Sequence, residues 1–446
     1  MKSLIRSTYS RYAVISVSLL LGSLLLRIPA FYLPHNHGDQ VQYLGLAMKL
    51  EKFGFSGYNL HGINLLLSED GNYLAAFPAD ESEKGSLLTG LPGYYDEPLF
   101  HKPPLFIYAL MISHKLFAEG EPYASVNADL GKAVLFNRPR MFLNTQFYCV
   151  IVPVLFSLLL IIATFFFGKA LFSEKTGIYA AVLLSISPIE LMTSSRIWTD
   201  DLLTFCVTTA FLLYYIAGER RNIVLSFLAG IFGGLAILTK PSGNTVIVII
   251  LAYELLKGRI FAKEFFAFLL SCVLLSMPWH WQMFRTYGSV FYLPISTQPD
   301  LLSQDWFKFV FNRPWYMYLV NPPVQTPLFF LAYAGALSIF TRCKNEQERL
   351  KRDNKIFLLL WTVIFIASFL MTKVGREMRY ILPAYPAIAL LSGAVLEAVE
   401  NKLGKMFGGP VGSALVILAI LLCSWWSVSL GFKYISSNLA EIVMPL

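Results

Sequence analysis

Charge is what this chain has least of. Asp, Glu, Lys and Arg make up 14% of its 446 residues, where soluble domains carry about 25%. So few charges cannot cover a core of this size in water, and lipid must solvate most of the chain. Basic residues outnumber acidic ones, 36 to 28, for a net charge of +8. In a soluble protein that balance would point to nucleic acid. Here the bases lie in short loops between apolar runs, where they set membrane orientation, and no nucleic-acid partner is expected. Cysteine is sparse too: Cys149, Cys206, Cys272 and Cys423 sit inside apolar runs and Cys343 in a basic loop. No pair has the spacing of a metal-ligand couple or a disulfide framework. No small-residue cleavage site follows the apolar segment Ala13–Leu26; Arg27-Ile28-Pro29 and an aromatic pair come instead. The segment therefore reads as a retained first helix rather than a cleaved signal.

What the chain has is apolar length, with 56% hydrophobic and 15% aromatic residues. A span needs about 20 apolar residues, fewer where the bilayer is thin. That rule predicts helices near 13–33, 141–167, 177–192, 201–217, 222–238, 243–256, 265–281, 326–341, 356–372, 380–398 and 411–432. The expected fold class is an all-α integral membrane bundle, one polytopic domain over 1–446 with about eleven spans, ten to thirteen allowing for the short runs. Lys2, Arg6 and Arg11 place the N-terminus in the cytoplasm. Alternating from there, the inner loops are 168–176, 218–221, 257–264, 342–355 and 399–410, and every one is basic, as orientation by Lys and Arg requires. Pro104–Phe117 is short for a span, and counting it as one would invert every later loop. It is predicted to lie on the outer surface as an interfacial helix.

The outer side then carries a long first loop, 34–139, with interfacial helices, and a second loop, 282–325, rich in aromatics and proline. Lys102, Arg138, Arg140, Arg196, Lys240, Arg285, Arg376 and Arg379 fall at or near outer helix ends, against the orientation rule. Singly, each can snorkel to headgroups or cap a helix. Together they suit an anionic lipid group, because Arg and Lys are the usual phosphate ligands. Asp39 and the pair Asp200-Asp201 are carboxylates at helix mouths, where either capping or function accounts for a costly charge. His35 and His37 stand near Asp39, with His61 and His101 in the same loop. Spacings of two residues make His35 and His37 weak candidates for a metal. A divalent metal is compatible with the sequence; no cofactor is required by it.

Several short motifs recur in order: Arg27 with Gly38-Asp39, His101-Lys102-Pro103-Pro104-Leu105, Asn137-Arg138-Pro139-Arg140, Ser187-Pro188, Ser195-Arg196 and Thr199-Asp200. Gly234 to Pro241, Pro278-Trp279 and Arg379 to Pro386 follow. The set resembles the GT-C polytopic glycosyltransferases, specifically glycosyltransferase family 39 and the related lipid A aminoarabinose transferases. The resemblance implies an inverting hexosyl- or pentosyltransferase of a bacterial inner membrane. Its donor would be a sugar on polyprenyl (undecaprenyl) phosphate, and its acceptor a lipid, glycan or protein on the periplasmic side. Asp39 matches the family's catalytic Asp and Lys102 the Lys that contacts the donor phosphate. Arg138 or Arg140, Lys240 and Arg379 match basic positions around the donor. Asp200 matches the second acidic position, with Asp201 beside it and Arg196 as a partner. The family usually has Asp-Glu where this chain has Asp39-Gln40.

The chemistry fits these residue types. Inversion needs one base on the face opposite the leaving group. Phosphate leaves readily once cations neutralise its developing charge, so one Asp and a basic cluster suffice. A transporter or flippase is the main alternative, but it would place ionisable groups near mid-membrane, and the span interiors read as nearly free of charge. A non-catalytic scaffold or receptor would leave the recurrent outer Lys and Arg without a reason.

Overall fold

In lipid a backbone N–H or C=O finds no partner but its own chain, so long apolar runs become helices. The computed structural model of this chain describes residues 2–32, 38–59, 64–67, 73–76, 99–117, 146–290, 314, 316–370 and 377–436. Among these, α1 spans Lys2–Arg27, α2 Gly38–Phe53, α3 Leu105–Phe117, α4 Gln146–Leu171, α5 Glu174–Ser185 and α6 Pro188–Ser194. Helices α7 (Asp200–Arg220), α8 (Ile223–Thr239), α9 (Thr245–Leu256) and α10 (Lys263–Tyr287) follow. The remainder are α11 (Met317–Gln325), α12 (Leu331–Leu337), α13 (Glu346–Leu370), α14 (Tyr385–Phe407) and α15 (Gly409–Ser436).

Each of the expected apolar runs coincides with one of these helices or with a pair. Seven are long and apolar enough to cross a membrane, and eight if α5 and α6, bent by 64° at Ile186-Ser187, count as one span. The helices over 223–239, 241–256 and 327–340 are shorter. The segment expected to lie at the interface is α3, 13 residues packed on α2 and α4. One feature was not expected from the sequence: a small antiparallel hairpin of β1 (Asn64–Leu67) and β2 (Tyr73–Ala76), with Asn64 opposite Ala76.

Local sequence sets the helix starts. Asn222 accepts from the amides of Val224 (3.0 Å) and Leu225 (3.1 Å), and Ser173 from that of Thr176, each satisfying donors that the first helical turn leaves open. Helices α8 and α10 close in at Gly230, where a Cβ would lie 2.0 Å from Ser271 Oγ and 2.1 Å from the Phe268 carbonyl. Only glycine lets two backbones approach so closely. Between α7, α9 and α13 the core is aromatic: Phe211 meets Trp361 edge-on at 4.7 Å and Tyr253 meets Phe357 at 4.8 Å.

The loops read as basic and inner converge on one end of the bundle. There Lys175 pairs with Glu400 at 2.9 Å, Lys257 with Asp353 at 2.7 Å and Arg11 with Glu174, while Asn354 donates to the Leu171 carbonyl. Asp39, Lys102, Asp200, Lys240 and Arg379 gather at the other. The expectation of nearly uncharged span interiors is corrected by Arg27 and Glu190. Their side chains pair with no exposed surface, and Arg27 Nε donates to Ser157 at 2.6 Å. Ser157 lies eleven residues into α4, about 16 Å along its axis. Two opposite charges and a hydroxyl that satisfy one another are tolerated where a lone charge would not be.

Candidate active site

Asp39 stands in the first turn of α2 with both oxygens engaged, Oδ1 by Lys102 Nζ at 3.0 Å and Oδ2 by Arg379 Nη2 at 2.9 Å. The cations are buried, but the Asp39 side chain remains 33% exposed. The site therefore presents a carboxylate to its surroundings and holds two cations behind it.

Lys102 arrives on the turn 99–104, and that turn is tied down on three sides. The Leu99 amide donates to the Tyr58 carbonyl at 2.9 Å, Tyr58 Oη donates to the Lys102 carbonyl at 2.7 Å, and the Phe100 amide donates to Tyr287 Oη at 3.0 Å. The rings of Tyr58, Phe100 and Trp279 pack on one another at 5.3 to 5.5 Å. Lys102 Nζ sits 4.6 Å from the Tyr43 ring centre, a contact that favours the charged amine.

Arg379 comes from the 3-10 turn Met378–Ala384 that leads into α14. Its Nε bonds Glu377, and its guanidinium lies 4.1 Å over the Trp198 ring. Arg196 covers the same indole at 5.0 Å. The Ile197 amide between them donates to Gln40 Oε1 at 3.0 Å. Gln40, where the family pattern has Glu, thus joins α2 to the Arg196–Trp198 turn without placing a second negative charge beside Asp39.

Asp200 opens α7. Thr199 is at the cap position but makes no side-chain capping bond, and Asp200 Oδ1 pairs with Lys240 Nζ at 2.8 Å. For Asp200 an ion pair takes the place of the capping bond. Lys240 ends α8 in extended backbone, its Nζ 4.5 Å over the Tyr380 ring. The turn behind it folds back so tightly that a Cβ on Gly243 would lie 2.3 Å from the Ala236 carbonyl carbon. Through Arg379-Tyr380 the Asp39 and Asp200 pairs form one surface. Asp201 points below it, accepting from Thr193 at 3.3 Å.

Burial alone would raise the Asp39 carboxyl, but Lys102 and Arg379 more than offset it and hold Asp39 well below the usual carboxylate range. His101 moves the other way: burial, and then Lys102, push it down to about 3. It is neutral at physiological pH.

The structure thus brings together Asp39, Lys102, Arg196, Asp200, Lys240 and Arg379. Arg285 is exposed in the last turn of α10 and stands apart. Arg138, Arg140, Arg376, His35 and His37 lie outside the described residues. Among the described residues no three His, Cys, Asp or Glu side chains come together as a metal site. Sequence reasoning missed Glu190 and Glu377. Glu377 was legible as a carboxylate two residues before Arg379. Glu190 was legible as an acid inside an apolar run, facing an Arg at the end of the first span.

Residues 139–281 match the family model described as dolichyl-phosphate-mannose-protein mannosyltransferase. An uncharacterized protein of Aquifex aeolicus (strain VF5) is 23% identical over 386 residues, covering 84% of this chain and 68% of that protein. ArnT from Cupriavidus metallidurans bound to undecaprenyl phosphate superposes with a TM-score of 0.57 at 12% identity, over 94% of this chain and 75% of ArnT. The oligosaccharyltransferase AglB from Archaeoglobus fulgidus, in complex with an inhibitory peptide and a dolichol-phosphate, gives a TM-score of 0.56 at 14% identity, over 98% of this chain. This chain spans only 57% of AglB's length. These likenesses agree with the GT-C resemblance carried by the motifs and show a shared fold.

Proposed function

We propose that this chain is an inverting glycosyltransferase that moves a sugar from a polyprenyl-phosphate donor to a lipid, glycan or protein acceptor on the outer face of a bacterial inner membrane. The observation that carries the reading is the half-open Asp39 carboxylate clamped between Lys102 and Arg379. The basic loops at the opposite end support a cytoplasmic N-terminus and about eleven spans. The family match, the fold shared with ArnT and the undecaprenyl phosphate bound there support the donor class.

In this reading the donor phosphate competes for Lys102 and Arg379, and Arg138 or Arg140 complete its binding. Once the cations turn to phosphate, Asp39 loses the charges that depress it and becomes a stronger base. The acceptor hydroxyl attacks the anomeric carbon from the face opposite the phosphate. The bond from that carbon to the phosphate oxygen breaks, the electron pair leaves on polyprenyl phosphate, and the hydroxyl proton passes to Asp39. Lys240, held by Asp200, adds positive charge at the far side of Tyr380.

The test compares polyprenyl-phosphate sugars and glycolipids by mass spectrometry in cells carrying the native chain or Asp39→Asn at equal membrane levels. One glycosylated product should vanish while its lipid-linked donor accumulates. Identical profiles would remove Asp39 as the base and return the transporter reading, for which the buried Arg27–Glu190 pair is the structural argument.

A further inference from the structure

Asp39 and Arg379 are linked by two routes. One is their ion pair at 2.9 Å. The other starts at Gln40, the residue after Asp39 in the first turn of α2, which is 1% exposed. Its Oε1 accepts from the Ile197 amide at 3.0 Å. Ile197 is fully buried in a tight turn in which the Trp198 amide donates to the Arg196 carbonyl at 2.8 Å. The indole of Trp198 is the surface on which Arg379 rests, with the guanidinium carbon 4.1 Å from the ring centre. These contacts close a circuit. It passes from Asp39 to Arg379, on to Trp198, back through Ile197 to Gln40, and by the peptide bond to Asp39.

The donor treats the two routes differently. In the proposed reaction phosphate draws Lys102 and Arg379 toward itself, so both ion pairs that fix the Asp39 carboxylate loosen in the state where it takes a proton. A base that drifts by 1 Å loses about a hundredfold in rate. The bond between Gln40 and Ile197 lies outside that competition. Its acceptor is a neutral amide oxygen, which a phosphate does not attract, and its donor is already engaged in the backbone of a buried turn. It therefore persists when the ion pairs do not, and it holds the start of α2 against the turn that carries Trp198.

We propose that Gln40 is a positioning residue for the transfer step: through Ile197 and Trp198 it keeps Asp39 in register with the donor site after Lys102 and Arg379 have turned to the phosphate. The inference rests on the donor reading above. Two measurements on the full-length chain separate binding from transfer. One is native mass spectrometry of purified protein in detergent against bare undecaprenyl phosphate. The other is the rate at which cells form, at equal membrane levels, the product identified by the Asp39→Asn comparison. Gln40→Met keeps the length of the side chain and loses the acceptor. It should slow product formation about tenfold or more and leave affinity for undecaprenyl phosphate unchanged. Gln40→Glu restores an accepting oxygen at the same reach and should recover most of the rate. Gln40→Asn draws the acceptor back by one methylene and should be as slow as Gln40→Met, so it reports even if the methionine variant fails to fold. Met and Asn variants that work at the full rate overturn the proposal. A loss of affinity that matches the loss of rate overturns it too, because Gln40 would then act in donor binding. A slow Gln40→Glu variant also overturns it, by making the amide nitrogen the working group. In each of these cases a wild type that binds undecaprenyl phosphate keeps the donor reading, whereas one that binds none removes that reading and the role of Gln40 with it.

Discussion

The Arg27–Glu190 pair offers a sharp test of how this bundle tolerates charge. Arg27 donates to Glu190, to Ser157 at 2.6 Å and to the Ser23 carbonyl at 2.7 Å, and Ser157 in turn donates to Glu190. Arg27→Met leaves the Glu190 carboxylate with the Ser157 hydroxyl and with Asp201, a second buried acid, as its neighbour. Glu190→Leu leaves the guanidinium with a hydroxyl and one carbonyl. Breaking a buried pair by removing one partner costs about 3–5 kcal/mol, because the other charge stays behind. Replacing both is a different perturbation. The double variant removes both desolvated charges and lets Ser157 bond back to the carbonyl one turn earlier, as serine does in helices. It should cost clearly less than either single change, and it can be neutral. Equilibrium unfolding in mixed detergent micelles, run as a double-mutant cycle, measures the difference. Strictly additive losses would refute the reasoning. They would mean that Arg27 and Glu190 act through packing with separate neighbours. The result also bears on α1, most of whose surface faces outward, so that this pair is its main polar tether to α4 and α6.

Three further outcomes are expected. Gly243→Ala forces the turn behind Lys240 off α8 and should destabilise by about 1–3 kcal/mol, with transfer activity falling further than the thermal midpoint accounts for. Arg379→Lys keeps the charge but cannot bond Asp39 and Glu377 while stacking on Trp198; initial transfer rates should fall about tenfold or more, equal to about 1.4 kcal/mol. His101 titrates at 6.5 when unfolded and at about 3 in the fold, so below pH 6.5 the unfolded state binds the extra proton. Its contribution to stability is therefore complete above pH 6.5 and is lost as pH falls toward 3, at up to about 1.4 kcal/mol per pH unit. Thermal midpoints of His101→Phe between pH 7 and pH 4 should show a shallower acid decline than the wild type; an unchanged slope would place the acid sensitivity elsewhere.

How much of this was legible in the sequence follows from what lipid penalises. The apolar runs were visible because a span has a fixed thickness to cross. Asp39, Lys102, Lys240 and Arg379 were visible because a charge at an outer helix mouth breaks both hydropathy and the orientation rule. Their pairing was not visible. Lys240 stood out by its charge, but its ion pair with Asp200, 40 residues away in sequence, did not. Arg379 reaches Asp39 across 340 residues. Long-range partners of this kind leave no periodicity to read. Glu190 could be read as an acid inside an apolar run, and the hairpin at 64–76 from Asp70-Gly71, a turn dipeptide between two apolar runs; the weight given to hydropathy passed over both. The bond of Gln40 to the Ile197 amide was the least visible, because a neutral polar residue disturbs neither hydropathy nor loop charge.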